Sequence, residues 1–358
     1  MTEHRTEREG VRAVEPGNDA RGNGRATDHS DAGPALARFE RPRSATPTTI
    51  AVVSDPHVST EREGTWKVFH RTQERLRTVL ADASDRGVDA VVLAGDLTED
   101  GAVADFDAVD ALLADASVPA FAVPGNHDVR KAFDEHDGRP LSSFTTSYVA
   151  NGVTTATNAV DTMDGTDATN GLPFHARVGG VDVVGLNSAA TPDGALDDAH
   201  DGAVSADQLS WLAETLPDAD APVVVMHHNL PGLECGDLGS WRSSYPVWNA
   251  DALVETLARH DAPLLVSGHL HLPAVSRVAG VRQVVSPPLS SFPQAALLLE
   301  VGPGGTTVRY VPVAEPRAVE EAYMHAKADS ERSNAVANLT LDQLSTLPFV
   351  DEHSPPTR

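Results

Sequence analysis

Short apolar runs, each bounded by Gly, Pro or Asp, recur along the chain from Thr49 onward. Their length and content of β-branched residues are typical of buried strands. The five clearest runs are TIAVVS (49–54), DAVVLAG (89–95), PAFAVPG (119–125), APVVVM (221–226) and APLLVSG (262–268). Two further apolar segments are interrupted by small residues, at Gly179-Gly180 and at Ala279-Gly280, and these segments predict β-hairpins.

Between the strands the apolar residues recur at helical spacing. The spacing predicts helices over 65–86, over 205–216 with Ser205 as the N-cap, and over about 249–260. Strands that alternate with helices and are followed by several hairpins predict an α/β fold, in which helices cover a mixed sheet system.

The two ends of the chain differ from its centre. Residues 1–46 are polar, rich in Gly, Arg, Asp and Pro, and lack periodicity, so we expect a disordered leader. Residues 47–315 form the predicted folded domain. The remainder, 316–358, predicts a helical extension over VEEAYMHAKADSE that then frays.

Composition favours a soluble, cytoplasmic protein. The chain is 41% hydrophobic, and no apolar run approaches the ~20 residues that a transmembrane helix needs. The first residues also lack the apolar core of a signal peptide. The single cysteine, Cys235, excludes an internal disulfide and a thiolate-rich zinc site.

The charge balance is strongly acidic. There are 52 Asp and Glu residues against 27 Lys and Arg residues, a formal net charge of -25. Such a surface disfavours nucleic acid and anionic membranes as partners. Because concentrated salt screens the self-repulsion, we hypothesise a halophilic source, with an acidic protein from a mesophile as the alternative.

Each of the five apolar runs is followed by polar residues that can bind a metal. In open α/β sheets the carboxyl ends of the strands line the ligand crevice, so these residues are expected at one site. In Gly-His-x-His, residues two apart along a strand point the same way, so both rings can face one site. The five groups are Asp55-Pro56-His57, Gly95-Asp96, Gly125-Asn126-His127-Asp128, His227-His228 and Gly268-His269-Leu270-His271.

This ordered set resembles the calcineurin-like metallophosphoesterase superfamily, whose pattern is D-x-H, G-D, G-N-H-[DE], H and G-H-x-H. The resemblance covers about residues 49 to 313 and looks nearest to the branch that contains bacterial class III cyclic nucleotide phosphodiesterases. It implies a four-layer αββα sandwich of two mixed β-sheets flanked by helices.

The resemblance also implies two divalent metal ions as cofactors. Imidazole and oxygen ligands without sulfur suit Mn, Fe, Zn or Co. A hydroxide shared by the ions would attack the phosphate ester. The implied ligands are Asp55, His57 and His271 for one ion, Asn126, His227 and His269 for the other, and Asp96 as the bridge.

By the same resemblance, His127 would contact the phosphate and protonate the leaving alkoxide as a general acid. Glu99, three residues after the bridging Asp96, would orient His127, with Asp100 as the alternative. Asp128 would fix the loop by hydrogen bonding. His228 would lie behind the ligands or face the substrate.

The expected substrate is a small-molecule phosphate ester, first a phosphodiester such as a cyclic nucleotide. The alternative is a phosphomonoester such as a nucleotide or a phosphoprotein. In the long irregular stretch after His227, Trp241, Arg242 and Tyr245 would either clamp the substrate or pack the loop. The net charge disfavours a DNA nuclease, and the complete ligand set disfavours a non-catalytic scaffold. The oligomeric state is open, a homo-oligomer included.

Overall fold

The computed structural model describes residues 33–129, 138–148, 157–158, 172–191, 194–195, 200, 202–233, 247–260 and 264–354. Within them the helices are α1 (Thr72–Arg86), α2 (Val103–Ala114), α3 (Ala206–Thr215), α4 (Ala250–Arg259), α5 (Pro316–Asp329) and α6 (Glu331–Leu344). The strands are β1 (Ala35–Phe39), β2 (Thr48–Val53), β3 (Ala90–Ala94), β4 (Ala120–Val123), β5 (Ser147–Tyr148), β6 (Thr157–Asn158), β7 (Phe174–Val178), β8 (Val181–Gly185), β9 (Ala190–Thr191), β10 (Gly194–Ala195), β11 (Val223–Val225), β12 (Leu264–Ser267), β13 (Ala274–Val278), β14 (Val281–Val285), β15 (Ala295–Gly302), β16 (Gly305–Pro312) and β17 (Val350–Asp351).

The described strands form two large mixed sheets. The first has the order β17-β1-β16-β15-β2-β3-β4-β5, in which β2, β3 and β4 run parallel. The second has the order β13-β14-β12-β11-β8-β7-β6, with β8, β11, β12 and β14 parallel. The five predicted strands are therefore confirmed, three in the first sheet and two in the second.

Both predicted hairpins are confirmed. β7 and β8 pair antiparallel on either side of Gly179-Gly180, and β13 and β14 pair antiparallel on either side of Ala279-Gly280. Each hairpin adds one antiparallel strand, β7 or β13, to the parallel centre of the second sheet. This arrangement explains why alternating hairpin segments and fully apolar runs occur in the same half of the chain.

Alternation along the second sheet divides its side chains between two apolar clusters. Val183 and Val225 join the residues of the first sheet and of helices α1 and α2 in one core. Their neighbours Val184 and Val224 pack instead with residues of α3 and α4. Successive strand residues point to opposite faces, so the layers follow as helices, sheet, sheet and helices. The expected four-layer αββα sandwich is confirmed.

Three helices differ from the prediction, and one of them, α6 (Glu331–Leu344), lies where the chain was expected to fray. Helix α1 begins at Thr72 rather than at 65, because Thr65 and Val68 adopt left-handed backbone angles, with φ of 55° and 46°. A 3₁₀ turn over Phe69–Arg71 connects this bend to the helix. Helix α2 has no counterpart in the prediction. Three aspartates within its twelve residues are weak helix formers, although Phe106, Val109 and Leu113 are buried at helical spacing.

The ends of the described chain belong to the first sheet, which corrects two expectations. Strand β1 lies inside the segment 1–46 predicted as a leader, and it pairs antiparallel with β16. After α5 and α6, β17 pairs in parallel with β1 instead of fraying. These short strands are stabilised by partners distant in sequence, so local periodicity does not reveal them. No helix among the described residues is long and apolar enough to span a membrane.

Candidate metal centre

Backbone hydrogen bonds hold together the loops that follow the parallel strands. The N–H of Asp55 donates to the carbonyl of Gly95 at 3.1 Å, and the N–H of His57 donates to that of Asp96 at 2.9 Å. In the second sheet the N–H of Gly268 donates to the carbonyl of His227 at 3.0 Å. The strand ends of both sheets thus place their polar residues at one edge of the sandwich.

A first group consists of Asp55, His57 and His271. All three are buried, and their potential ligand atoms lie within 4.8 Å of one another. Nε2 of His57 is 3.0 Å from Nε2 of His271, and Oδ1 of Asp55 is 3.4 Å from the latter atom. Two ring nitrogens and a carboxylate that face each other at this distance are the donor set of a cation site.

A second group consists of Asp96, His227 and His269, again with potential ligand atoms within 4.8 Å of one another. Nε2 of His227 lies 3.2 Å from Oδ2 of Asp96 and 3.1 Å from Nδ1 of His269. The side-chain oxygen of Asn126 is 3.2 Å from the same Nε2. Four of the predicted ligands therefore meet here.

Asp96 reaches both groups through one oxygen. Its Oδ2 is 3.5 Å from Nε2 of His57 in the first group and 3.2 Å from Nε2 of His227 in the second. The structure thus brings all seven sequence-predicted ligands together, with Asp96 between the two sets of three.

The outward-facing nitrogens of three imidazoles have hydrogen-bond partners. Nδ1 of His57 is 3.3 Å from Oε2 of Glu99, and Nδ1 of His271 is 2.7 Å from Oγ of Ser291. Nδ1 of His227 donates to the carbonyl of Ala94 at 2.9 Å. Such contacts direct Nε2 inward and are the usual support of metal-binding histidines, so these residues fit a divalent metal.

The buried charges oppose one another in a way that favours a bound cation. Burial and the nearby charge of Asp96 raise the pKa of Asp55. Burial acts to raise the pKa of Asp96, but the charges of His227 and His127 hold this pKa well below its usual value. Burial acts to lower the pKa of His227, but the carboxylate of Asp96 raises this pKa to about 9. A metal ion at this centre would therefore compete with protons for the nitrogen and oxygen atoms of these residues.

Five of the seven candidate ligands have left-handed backbone angles. Such angles are unfavourable for residues with a side chain, and they concentrate at functional sites where the surrounding structure imposes them. They belong to Asp55 (φ 52°), His57 (φ 42°), Asp96 (φ 52°), His269 (φ 74°) and His271 (φ 57°).

Glycines next to the candidate ligands allow close approach of the loops. A Cβ on Gly125 would collide with the backbone nitrogen and the carboxylate of Asp96. A Cβ on Gly268 would collide with Oγ of Ser54 and lie 2.7 Å from Oδ2 of Asp55. The glycines in G-N-H-D and G-H-x-H are therefore required by packing against ligands from other strands.

His127 lies beside the candidate ligands and is half-buried. Its ring centroid is 4.7 Å from that of His57, and its backbone N–H donates to Oδ1 of Asp96 at 2.9 Å. Its Nδ1 hydrogen-bonds the backbone carbonyl of Glu99. Burial, and then the charge of Lys67, lower the pKa of His127 well below its usual value.

The expected role of the Glu99 carboxylate is corrected by these contacts. The carbonyl of Glu99 orients His127, whereas its carboxylate is directed at His57 and at Lys67, whose Nζ lies 2.8 Å from Oε2. Asp100, the alternative, has its Oδ2 2.9 Å from Nη2 of Arg62. The sequence predicted a carboxylate contact with His127, whereas the contact in the structure is made by the backbone carbonyl of Glu99.

Asp128 is buried and joins two loops. Its Oδ1 accepts from the N–H and the hydroxyl of Thr98 at 2.9 Å each. Its Oδ2 accepts from the N–H of Leu97 at 3.0 Å and that of Gly125 at 2.9 Å. These four bonds tie the Asp96 loop to the Asn126 loop.

His228 lies behind the candidate ligands. Its Nδ1 is 2.9 Å from Oγ of Ser188, and its ring centroid is 4.6 Å from that of His269. This placement agrees with one of its two predicted positions.

Two contacts at the site were not predicted from sequence. Lys67, which is buried, has Nζ 3.3 Å from Nδ1 of His57. The ring centroid of Trp66 is 4.6 Å from that of His271. The only sequence signal is that Lys67 is one of few lysines in an acidic chain. Cys235, Trp241, Arg242 and Tyr245 lie outside the described residues.

The family model of the calcineurin-like phosphoesterases matches residues 48–273. The chain therefore belongs to this family and is a metal-dependent phosphoric ester hydrolase, as the resemblance in the sequence implied. The histidine and aspartate groups described above are its candidate sites for divalent metal.

Among curated relatives, the chain is 25% identical over 225 residues to a probable cyclic nucleotide phosphodiesterase of Synechococcus sp., a match that covers 62% of this chain and 73% of the relative. It is 26% identical over 191 residues to a protein of the same description from Fibrobacter succinogenes, covering 52% of this chain and 58% of that relative.

Among solved structures, a dimetal phosphatase from Danio rerio is similar with a TM-score of 0.49 and 15% identity, covering 75% of this chain and 99% of that one. A purple acid phosphatase from yellow lupin seeds has a TM-score of 0.49 and 11% identity, covering 76% of this chain and 52% of that one.

Proposed function

We propose that this protein is a phosphodiesterase that uses two divalent metal ions held on either side of Asp96. The observation that supports this most is that one oxygen, Oδ2 of Asp96, lies 3.5 Å from Nε2 of His57 and 3.2 Å from Nε2 of His227. A carboxylate shared in this way neutralises part of the charge of two neighbouring cations and keeps them close together.

The remaining ligands divide between the two positions. Asp55, His57 and His271 would hold one ion, and Asn126, His227 and His269 the other. The donor set of imidazole and oxygen atoms suits Mn, Fe, Zn or Co. Bound there, the ions would polarise the phosphoryl oxygens and lower the pKa of water enough to supply hydroxide at neutral pH.

His127 is the candidate general acid. The carbonyl of Glu99 holds its Nδ1, so its Nε2 remains to face a substrate. Without substrate the imidazolium is disfavoured, because burial and Lys67 lower the pKa of His127. An arriving phosphate brings negative charge that favours the protonated ring, which then donates its proton to the leaving alkoxide.

Asp128 and Glu99 act by positioning. The four hydrogen bonds accepted by Asp128 fix Asp96 and Asn126 relative to each other. The carboxylate of Glu99 orients the ring of His57. Neither carboxylate needs to touch the substrate for the reaction to proceed.

A phosphodiester such as a cyclic nucleotide is the proposed substrate class. Both relatives described above carry the name of probable cyclic nucleotide phosphodiesterases, which supports this substrate class. The formal net charge of -25 disfavours a nucleic acid strand, whereas a small anion can be attracted by the metal charge alone.

The test compares bis(4-nitrophenyl) phosphate, 4-nitrophenyl phosphate and 3′,5′-cyclic AMP with the full chain, Mn²⁺ and concentrated KCl. The salt is included because the acidic surface suggests adaptation to it. We expect faster turnover of the diesters, and cyclic AMP should give AMP without release of inorganic phosphate. Faster hydrolysis of the monoester would reject the diester proposal in favour of a phosphomonoesterase.

A further inference from the structure

A second cluster of metal-binding side chains lies outside the centre described above. It consists of His70, from the 3₁₀ turn that precedes α1, and of Glu321 and His325 on α5. Helix α5 follows the segment matched by the family model, which ends at residue 273. The cluster is thus built partly from a portion of the chain that the family match does not include.

The geometry points to a separate site for one divalent transition-metal ion at His70, Glu321 and His325. One potential ligand atom from each residue lies within 4.8 Å of the other two. Nε2 of His70 is 3.0 Å from Oε1 of Glu321, and the ring centroids of His70 and His325 are 5.8 Å apart. Two imidazoles and a carboxylate form a common ligand set for zinc.

The ligands need little rearrangement to meet. Glu321 and His325 are four residues apart on one helix, so the helix itself places them on the same face. Each of the His70 and Glu321 side chains is 31% exposed, which leaves room for a water molecule to complete a tetrahedral set.

His70 and Arg71 contact different oxygens of the Glu321 carboxylate. Arg71 lies on the other oxygen, with Nε 3.5 Å from Oε2, so Oε1 remains directed at His70. A metal ion here would lie between Nε2 of His70 and Oε1 of Glu321, in place of their direct 3.0 Å contact. The 3.4 Å contact between the Gly64 N–H and Nδ1 of His70 is weak, so a change of tautomer costs little.

The position of the site connects α5 with the catalytic region. The residues just before His70 include Trp66, which packs on His271, and Lys67, which contacts His57 and Glu99. An ion bound to both His70 and α5 would restrain this segment from outside. The inference stands on its own geometry and does not require the proposed substrate or the assigned roles at the main centre.

The test counts Zn²⁺ bound per full-length chain after saturation and dialysis. We expect His325→Ala and His70→Ala to bind one ion fewer than the unmodified protein. Met324→Ala is the matched control, because Met324 is exposed on the same helix and should leave the count unchanged. If the main centre itself failed to load, every count would fall equally and the difference of one ion would persist.

A milder variant guards against a folding artefact. Glu321→Gln keeps the shape of the side chain but removes the carboxylate ligand, so this variant should also bind one Zn²⁺ ion fewer after saturation and dialysis. The increase in Tm on adding Zn²⁺ should shrink in parallel. Equal ion counts in unmodified protein, His325→Ala and Met324→Ala would overturn the inference.

Discussion

Nζ of Lys67 lies 2.8 Å from Oε2 of Glu99, and this ion pair is buried beside the candidate metal centre. The same carboxylate oxygen is 3.3 Å from Nδ1 of His57. Burial alone would raise the pKa of Glu99, but the hydrogen bond from His57 and the charge of Lys67 lower this pKa to about 2. An ionised Glu99 therefore holds the imidazole of His57 in the orientation that directs Nε2 inward.

Lys67→Met should weaken metal binding more than it weakens the fold. Among the described residues, removal of the ammonium leaves Arg62 as the one Lys or Arg partner of Glu99, so the carboxylate can turn away from His57. We expect metal affinity to fall about 10- to 100-fold, as on loss of other contacts that orient a ligand. Metal titration followed by activity measures this effect, with Lys67→Arg as a partial rescue. The exposed Lys327→Met is the matched control, and an equal loss in that variant would contradict the role of Lys67.

His127→Ala should reduce turnover while the protein keeps its bound metal. General acid catalysis contributes about 10²–10⁴-fold, and it matters most when the leaving group is a poor one. The loss should therefore be large for an alkyl or nucleoside diester and small for bis(4-nitrophenyl) phosphate, whose leaving group needs no proton. The kcat values of the two substrates provide the comparison. The same loss for both would show that His127 does not protonate the leaving group.

Gly125→Ala should prevent the two central loops from closing. The added Cβ would collide with the backbone nitrogen of Asp96, and a backbone atom cannot move aside as the end of a flexible side chain can. Overpacking of this kind costs about 1–3 kcal/mol. Thermal unfolding and metal content measure the effect. Gly304→Ala is the control, because nothing lies within 4 Å of a Cβ at that position.

Features with a local sequence signature were predictable, whereas contacts between distant segments were not. The strands, the hairpins and all seven candidate ligands were predictable, because buried strands have a local apolar signature and their polar ends follow in a recognisable order. The partners of Lys67, the carbonyl contact of Glu99 and the pairing of β1 with β16 and β17 were not, because each joins segments far apart in sequence. Local periodicity carries no information on such contacts.

The C-terminal segment should make stability depend on pH through Glu352. Its carboxylate accepts from Nε and Nη2 of Arg282 at 2.7 Å each and from the N–H of Glu40 at 2.8 Å. Burial acts to raise the pKa of Glu352, but these hydrogen bonds lower this pKa below the ordinary 4.5. A lowered pKa in the folded state means that the stabilisation is complete above 4.5 and is lost as pH falls through the folded-state value.

Glu352→Gln should therefore reduce the free energy of unfolding by about 1–3 kcal/mol near neutral pH. The difference from the unmodified protein should shrink in acid, where Glu352 is protonated in both states. Denaturant titrations across a pH series measure it, with the exposed Glu320→Gln as the control. A difference that stays constant down to the most acidic pH would contradict this contribution.

The central claim is that Asp96 is shared by two metal ions, and electron paramagnetic resonance of the Mn²⁺-loaded protein tests it most directly. Two ions joined by a common carboxylate should give the spectrum of a spin-coupled pair, whereas an isolated ion gives a six-line signal. We predict that the unmodified protein shows the coupled spectrum and that Asp96→Asn loses both this spectrum and its turnover. A coupled spectrum with undiminished turnover in Asp96→Asn would contradict the account.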